Sequence, residues 1–204
     1  MTVTNGYSSL AELKAYITVR GGTISTDTAD DAVMEDIIES VSRRFDNLTG
    51  THFYKDTSDA TRYFTAKSAA ECEIFPLSAA PTSVSVDYVD TRSYTALDSS
   101  DYELEPVNAL LDGKPYTEIY LSPLSTDYFP LSRRGVKVVG KFGWPSVPDD
   151  IKDDCLAVCQ NVWMARSGQT GSGRVSVTAG GVVIRPEDIP ERVMQNLLIY
   201  RNIR

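Results

Sequence analysis

The chain has 204 residues, of which 42% are hydrophobic and 24% are charged, a composition that is typical of folded proteins and argues against wholesale disorder. Its formal net charge of −8 opposes wrapping around nucleic acid or an anionic membrane surface. No run of about 18 apolar residues predicts a membrane-spanning helix, and the first residues lack the basic and apolar regions of a signal peptide.

Two helices are predicted at the start of the chain. Ser9, with Glu12 three residues later, forms a capping box, and apolar residues then recur at helical spacing as far as Gly21–Gly22. A second helix begins with acidic residues, which suit the positive end of the helix dipole, and ends at Gly50. Its predicted buried stripe consists of Val33, Ile37, Val41 and Phe45, flanked by Met34, Ile38 and Leu48.

Short β-branched and aromatic runs replace the helical pattern between residues 61 and 144. They predict strands at 63–66, 73–77, 83–89, 102–105, 118–121 and 136–142, separated by turn-forming residues. In the third run Val84, Val86 and Tyr88 are predicted to face the core, and the alternating polar residues, Asp87 among them, to face water. Six short strands at this spacing predict an antiparallel sandwich or barrel.

The last predicted strand enters the third helix through a glycine- and proline-rich junction. Gly140 and Gly143 are predicted to let the strand bend or bulge as it leaves the sheet. Trp144 is predicted to offer a large apolar face between layers, and Pro148 to take the first helical position, where its missing N–H costs nothing. The apolar side of the third helix consists of Ile151, Cys155, Val158, Cys159, Val162 and Trp163.

A Gly/Ser-rich stretch follows the third helix and leads into two valine-rich runs. Residues 168–185 therefore predict a hairpin with a flexible root. A fourth helix is predicted to start at Asp188, with Glu191 completing a capping box and Pro190 in the first turn.

Together these elements predict an α+β fold made of a small four-helix subdomain and an inserted domain. The helical subdomain comprises residues 1–50 and 145–204 and includes the hairpin 168–185. Residues 51–144 form the antiparallel β sandwich or barrel, inserted between the second and third helices.

Metal and cofactor chemistry have little support in the sequence. The three cysteines, Cys72, Cys155 and Cys159, lack the spacing of a four-ligand metal site, so they are predicted to be structural thiols in a reducing compartment. The single histidine, His52, follows a helix end, where a surface or capping role is expected. No metal and no cofactor are predicted.

Residues 168–175, GQTGSGRV, resemble half of a phosphate-binding loop. Arg174 stands where that loop requires lysine, and Val175 stands where it requires serine or threonine. The stretch also follows a helix and precedes a strand, the reverse of the order that points helix N-terminal amides at a phosphate. A flexible loop is therefore the better interpretation.

Four pairs of acidic residues invite comparison with glycosidases, which hold two carboxylates at a set separation. The pairs are Asp30/Asp31, Asp149/Asp150, Asp153/Asp154 and Glu103/Glu105. Three of them lie at or near predicted helix starts, where the helix dipole already explains them. Glu103 and Glu105 share one strand face and could line a channel or face water, and solvated faces are the favoured interpretation.

Tyrosine is abundant, with 11 tyrosines against 6 phenylalanines, many of them in the predicted β subdomain. Tyrosine is amphipathic and enriched at protein interfaces, but it also completes small cores while its hydroxyl stays in water. The sequence leaves both roles open. An acidic, tyrosine-rich surface fits protein partners better than nucleic acid.

Several stretches, taken in this order, resemble a known family. They are SLAELKAYITV, DDAVMEDIIESVSRRFDNLTG, VKVVGKFGWPSVPDDIKDDCLAVCQNVWMAR and IPERVMQNLLIYR. The chain resembles the head–tail connector, or adaptor, proteins of tailed bacteriophages, in the variety with a β subdomain inserted between helices two and three. The resemblance covers nearly the whole chain and consists of packing and turn residues rather than a catalytic signature.

The resemblance implies a non-enzymatic structural protein of the virion, located in the head–tail neck and made in the host bacterial cytoplasm. It implies a ring of about a dozen copies under the portal protein, closed by contacts that repeat on rotation. Such a ring extends the DNA channel and docks the stopper or tail-completion protein. DNA would pass through the lumen without sequence-specific binding, and no membrane is implied.

Two regions are predicted to meet a neighbouring subunit or the portal. The predicted interface residues are Arg174, Val175, Val177, Val183, Tyr200, Arg201 and Arg204. The hairpin suits pairing with a neighbour's strands or lining the lumen, and the C-terminal residues form a mixed aromatic and cationic tip. The alternative functions are a tail or fibre accessory β module that binds carbohydrate or protein, and a small hydrolase that uses an acid pair.

Overall fold

The computed structural model describes residues 3–20, 28–167, 176–177, 183–184 and 189–201. The chain divides into two compact units, a helical unit of Met1–His52 with Val147–Arg204 and a β unit of Phe53–Ser146. The described residues form an α+β fold, with antiparallel sheets inserted between the second and third of their four helices, and this confirms the predicted fold class. Across the described ranges, every helix is too short or too polar to span a bilayer.

The elements follow one another in the predicted order, with the short strand β4 in addition to the six strands predicted for the β subdomain. The helices are α1 (Leu10–Val19), α2 (Asp31–Thr49), α3 (Asp149–Ser167) and α4 (Glu191–Ile199). The strands are β1 (Ala60–Phe64), β2 (Glu71–Leu77), β3 (Ser83–Val86), β4 (Thr95–Ala96), β5 (Tyr102–Glu105), β6 (Tyr116–Leu121), β7 (Val136–Gly140), β8 (Ser176–Val177) and β9 (Val183–Ile184). They form three antiparallel sheets, in the orders β1-β7-β3-β4, β2-β6-β5 and β8-β9.

Capping accounts for the start of α1 and the end of α2. The Ser9 hydroxyl accepts the N–H of Glu12 at 3.3 Å, and the Glu12 carboxylate accepts the N–H of Ser9 at 2.8 Å, which confirms the capping box. Gly50, with a φ of 70°, ends α2 in the left-handed conformation that glycine adopts without strain. Gly21 and Gly22, the predicted end of α1, lie outside the described residues.

The buried stripe of α2 matches the prediction at Ile37, Val41 and Phe45 and differs at its first position. Val33 was expected to be buried but is 39% exposed, whereas Met34 is fully buried. Met34 lies about one turn before Ile37 and Ile38, so these residues define the buried face and Val33 lies at its edge.

Asp154 is a buried carboxylate that joins α3 to α4. It is 1% exposed and lies beside the buried apolar side of α3. It accepts hydrogen bonds from Arg192 Nη2 at 3.1 Å and from Asn196 Nδ2 at 2.9 Å, both on α4. Burial raises the pKa of Asp154, although the bonds from Asn196 and Arg192 oppose that shift. Asp153/Asp154 was attributed to the dipole near a helix start, whereas the structure shows that Asp154 is buried against α4.

The starts of α3 and α4 also differ from the prediction. Pro148 precedes α3 by one residue, and its carbonyl accepts the N–H of Lys152 at 3.0 Å. Helix α4 begins at Glu191 after an N-cap at Pro190, which has an extended ψ of 145° and no side-chain capping bond. A proline disfavours helical geometry in the residue before it, so the predicted start at Asp188 was wrong. Asp188 itself lies outside the described residues.

The cysteines and the histidine are all buried. Cys72, Cys155 and Cys159 are free thiols, as predicted for structural cysteines. The Sγ atoms of Cys155 and Cys159 lie 3.8 Å apart on one side of α3. His52 was expected at the surface but is buried at the end of the first helical segment.

Two sheets of the β unit enclose one apolar core. Its buried residues come from both sheets and the adjoining loops: Phe64, Ala66, Cys72, Ile74, Leu77, Val84, Val86, Ile119, Leu121, Phe129, Val136, Val138 and Phe142. Strand β7 pairs with β1 on one side and β3 on the other. An isolated bridge joins Phe142, just beyond β7, to Leu77 of β2 in the other sheet. The predicted sandwich-like packing therefore has a single interior.

Strand β3 ends earlier than predicted because of Asp87, which is completely buried. Its carboxylate accepts the backbone N–H groups of Val89, Thr91 and Arg92, at 3.3, 3.2 and 2.6 Å. Burial opposes ionisation of Asp87, but these bonds outweigh it and lower the pKa of the carboxyl group. The prediction that Asp87 faces water from a strand was therefore wrong.

The contact between α3 and α4 is tested by replacing Asp154. Asp154→Ala removes the acceptor shared by Arg192 and Asn196, and we expect it to lower the free energy of unfolding of the helical unit by about 2 kcal/mol. Amide hydrogen exchange in α4 should accelerate more than exchange in α2. Asp153→Ala, at the exposed neighbouring position, is the matched control. It should change neither the free energy of unfolding nor the amide exchange in α4. Equal rates of amide hydrogen exchange in α4 of the two variants would contradict the role of Asp154 in joining α4 to α3.

The Asp87 turn predicts a pH-dependent stability. A lowered folded-state pKa means that the ionised carboxylate stabilises the protein above the unfolded value of 3.8, and this contribution is lost as the pH falls through the folded value. Asp87→Asn should lower the urea midpoint at pH 7, since an amide offers only one acceptor oxygen. The difference from the native protein should shrink below pH 4. Asp98→Asn, on an exposed turn, is the control, and a pH-independent difference for Asp87→Asn would contradict this role.

Candidate interaction surfaces

The structure describes part of the predicted interface set. Arg174, Val175 and Arg204 lie outside the described residues. Val177 pairs with Val183 in the antiparallel β8–β9 ladder. These residues remain predicted interface positions.

The C-terminal tyrosine is engaged within the helical unit. The Tyr200 hydroxyl donates to Asp150 Oδ2 at 2.8 Å, which ties the end of α4 to the first turn of α3. Burial, together with the bond to Asp150, raises the pKa of Tyr200 to about 12. Arg201 is exposed directly after it. Of the predicted C-terminal tip, Arg201 is thus the described side chain that faces solvent.

The junction glycines lie at close backbone approaches. Gly143 has a φ of 98°, and its N–H donates to the Pro76 carbonyl at 2.7 Å. A Cβ on Gly140 would lie 3.2 Å from both Leu77 Cδ1 and the Pro81 Cα. Glycine is therefore favoured at 143 by backbone conformation and at 140 by space.

The tryptophan of the junction packs on the edge of the β unit. Trp144 is half-buried, and its ring centroid lies 5.6 Å from that of the fully buried Phe53. Both residues belong to the β unit, so the pair joins the first and last segments of that unit. Such tilted aromatic pairs add stability beyond the area they bury.

Two rows of side chains cross the outer surface of the sheet β2-β6-β5. In one row Glu73 lies opposite Glu118, which lies opposite Glu105. In the next, Tyr120 lies between Glu71 and Glu103. Their neighbours Cys72, Ile119 and Leu104 point to the core side. We call this surface the acidic face, defined by Glu71, Glu73, Glu103, Glu105 and Glu118 with Tyr120 at its centre.

Charges on the acidic face are only partly compensated. Like charges directly opposite one another on a sheet destabilise it. Lys67 Nζ lies 2.9 Å from Glu71 Oε1 and 3.3 Å from Glu73 Oε1, and its hydrogen bond lowers the pKa of Glu71. Partial burial, with a hydrogen bond to Glu118, raises the pKa of Tyr120 to about 12. The phenol therefore stays neutral and donates to the carboxylates.

Three carboxylates of this face have oxygens within 4.8 Å of one another, on Glu71, Glu73 and Glu118. Carboxylate oxygens are ligands for hard cations such as Ca²⁺. The Lys67 ammonium already supplies a positive charge to two of the three. The trio is solvent-facing, and such groups are common without an ion.

The acid pair Glu103/Glu105 lies beside an open depression. Glu103, Glu105, Glu118 and Tyr120 contribute to its lining, and its volume is about 530 Å³. Glu105 also accepts the N–H of Val107 at 2.8 Å, where it stabilises the following turn. The pair thus lies on a sheet surface in contact with water, as the favoured interpretation predicted.

A compact group of tyrosines and cations lies on the outer side of the other sheet. The ring centroids of Tyr63 and Tyr94 are 5.6 Å apart. The Arg134 guanidinium carbon lies 4.6 Å from the Tyr63 centroid, and Lys137 Nζ lies 5.0 Å from that of Tyr94. The Tyr94 hydroxyl donates to the Arg134 carbonyl at 2.8 Å. We call this the cationic face, defined by Tyr63, Tyr94, Arg134 and Lys137.

Sequence reasoning missed the cationic face. The tyrosines of the β subdomain were considered only as a group, and Lys137 lay within the predicted strand 136–142. Lys137 lies opposite Tyr63 on β1 and Ser85 on β3, a relation that depends on strand pairing. The alternation of Lys137 with buried Val136 and Val138 was the one local signal.

The turn between β5 and β6 exposes aliphatic side chains. Leu111 is 87% exposed, and Val107 and Leu110 are also exposed, whereas Ala109 between them is buried. The turn is held by backbone bonds such as Lys114 N–H to the Ala109 carbonyl at 2.8 Å. An ordered loop with exposed apolar residues is a typical protein-contact element.

Comparison with solved structures finds matches along the whole chain. A chain of the "Neck of empty GTA particle computed with C6 symmetry" is 16% identical with a TM-score of 0.54, and the match covers 100% of this chain and 94% of that one. A chain of the "Virion of native gene transfer agent (GTA) particle" is 16% identical with a TM-score of 0.55, and the match covers 100% of this chain and 94% of that one. A chain of the "Neck of native GTA particle computed with C12 symmetry" is 14% identical with a TM-score of 0.52, and the match covers 100% of this chain and 93% of that one.

The chain shares the fold of these particle proteins. The fold implied by the sequence resemblance is therefore confirmed, including the β domain between α2 and α3. Neither the protein-family models nor the curated proteins include a match to the chain.

The junction predicts a glycine requirement at position 143. Gly143→Ala places a Cβ on a residue with a φ of 98°, and we expect it to lower the free energy of unfolding of the β unit by about 2 kcal/mol in urea denaturation. Gly113→Ala is the matched control. Gly113 has a φ of 68°, in the left-handed helical region, and nothing lies within 4 Å of the added Cβ. The Gly113→Ala variant should therefore lose less free energy of unfolding than Gly143→Ala. Equal losses would contradict a special constraint at the junction.

Proposed function

We propose that the protein is a structural component of a phage-like virion neck, a head–tail connector that assembles as a ring. The observation that carries this proposal is the fold match, which spans 100% of this chain and 93–94% of chains from GTA neck and virion structures. Two of those structures have C6 and C12 symmetry. A ring of twelve copies agrees with both, since twelve copies also satisfy sixfold symmetry.

A ring places a specific demand on each subunit. Copies related by rotation meet through two different surfaces, so each subunit needs a pair of complementary faces. The acidic and cationic faces of the β unit are two such different surfaces, and the exposed turn around Leu111 is a third. These features suit assembly rather than catalysis, so we propose a non-enzymatic role.

Within the neck, the ring docks under the portal protein and presents a surface to the stopper or tail-completion protein. It extends the DNA channel without reading sequence. The formal net charge of −8 supports this part of the proposal, because repulsion between the protein and DNA phosphates favours sliding over binding.

We place the protein in the virion neck after synthesis in the host bacterial cytoplasm. All three cysteines are free and buried, which agrees with folding in a reducing compartment. The ring then forms on the portal or before docking.

Assembly with the portal tests this function. The full chain should sediment as a larger species when mixed with the portal protein of the same phage, and negative-stain electron microscopy should show an added ring with twelvefold symmetry. The portal protein of an unrelated phage is the control and should gain no ring. A chain that stays monomeric at micromolar concentration, both alone and with its portal, would overturn the proposal.

A further inference from the structure

We propose that neighbouring copies in the ring meet through their β units, with the cationic face of one copy against the acidic face of the next. This inference rests on the proposed ring and adds the surface that closes it. Its occupant is a second copy of this chain, because the same chain carries both halves of the contact.

The positions of the two faces suit a repeating contact. The sheets β1-β7-β3-β4 and β2-β6-β5 share one core, so their outer surfaces point away from each other. The cationic face lies on the first outer surface and the acidic face on the second. Two different patches on opposite sides of one unit make a head-to-tail contact, which closes into a ring if the rotation allows it.

Charge complementarity identifies the partner. The acidic face carries five glutamates, and Lys67 is the cation paired with two of them. Glu118 lies directly between Glu73 and Glu105, so this row gains most from an added positive charge. Arg134 and Lys137 supply such charges.

The cationic face is already held in shape before any contact forms. Arg134 and Lys137 each lie over a tyrosine ring, and the two rings contact each other. Lys137 is further fixed between Tyr63 and Ser85 by strand pairing. Pre-positioned cations lose less side-chain entropy on binding, and tyrosine and arginine are enriched among the residues that dominate interfaces.

DNA is the competing partner for the cationic face, and a divalent cation is the competing partner for the acidic one. DNA would leave the acidic face unexplained, and a cation would leave the cationic face unexplained. Contact between copies accounts for both faces with one interaction, which is why we favour it.

Charge reversal tests the contact in the full chain. An acidic-face variant, Glu103→Lys with Glu118→Lys, leaves three glutamates beside three lysines, Lys67 included, so this face loses its net negative charge. A cationic-face variant, Arg134→Glu with Lys137→Glu, has two negative faces. We expect each to weaken ring formation at least about tenfold in sedimentation velocity, with a smaller difference in high salt. Asp98→Lys with Asp112→Lys makes the same change in net charge on exposed turns as the acidic-face variant does and should assemble normally.

A mixture of the two face variants provides the decisive test. In an equimolar mixture of the two face variants, the unchanged cationic face meets the unchanged acidic face, and the introduced lysines meet the introduced glutamates. Rings should therefore return with the variants in alternating order. That order fits an even number of copies, as in C12 symmetry. Recovery also shows that both variants are folded, and circular dichroism of each alone checks this independently.

The outcomes separate this inference from the proposed function. Native rings that persist in both face variants would overturn the contact and leave the neck role intact. A native chain that forms no ring, alone or on its portal, would overturn both.

Loss of binding to a fluorescein-labelled DNA duplex in the cationic-face variant, with rings unchanged, would assign that face to DNA. Rings that dissolve on adding EDTA would assign the acidic face to a cation. Either result would overturn the contact.

Discussion

One apolar core buried between two sheets is the constraint on which the β unit depends. Each sheet gives one side to this core, and the residues that alternate with the core residues form its other side. The outer sides are then free to differ in chemistry, and they do: glutamates cover one, and tyrosines with cations cover the other. The residues after strand β7 also connect the two sheets, because Phe142 forms a β-bridge with Leu77 in the second sheet.

In the helical unit, side-chain hydrogen bonds add to the apolar packing between helices. Segments from both ends of the chain form this unit. Asp154 binds two side chains of α4, and the Tyr200 hydroxyl binds Asp150 of α3. Such bonds are directional, so they fix the orientation of α4 on α3 more narrowly than apolar contact alone would.

Local features of the fold were predictable from the sequence, but features that depend on distant partners were not. The Ser9 capping box, the Gly50 stop and the order of the elements follow from short-range chemistry. Asp153 and Asp154 look alike in sequence, and only the helix that packs from some forty residues away decides which is buried. Likewise, Glu103 and Glu105 were expected to share a face, but their row with Glu118 required the strand register.

In the proposed ring, the row of Glu73, Glu118 and Glu105 would link subunit folding to assembly. Side by side, these like charges reduce the stability of an isolated subunit. Any partner that brings positive charge to the row removes part of that repulsion, so binding stabilises the folded subunit by mass action. A population of isolated subunits would then melt at a lower temperature than the same subunits within a completed particle.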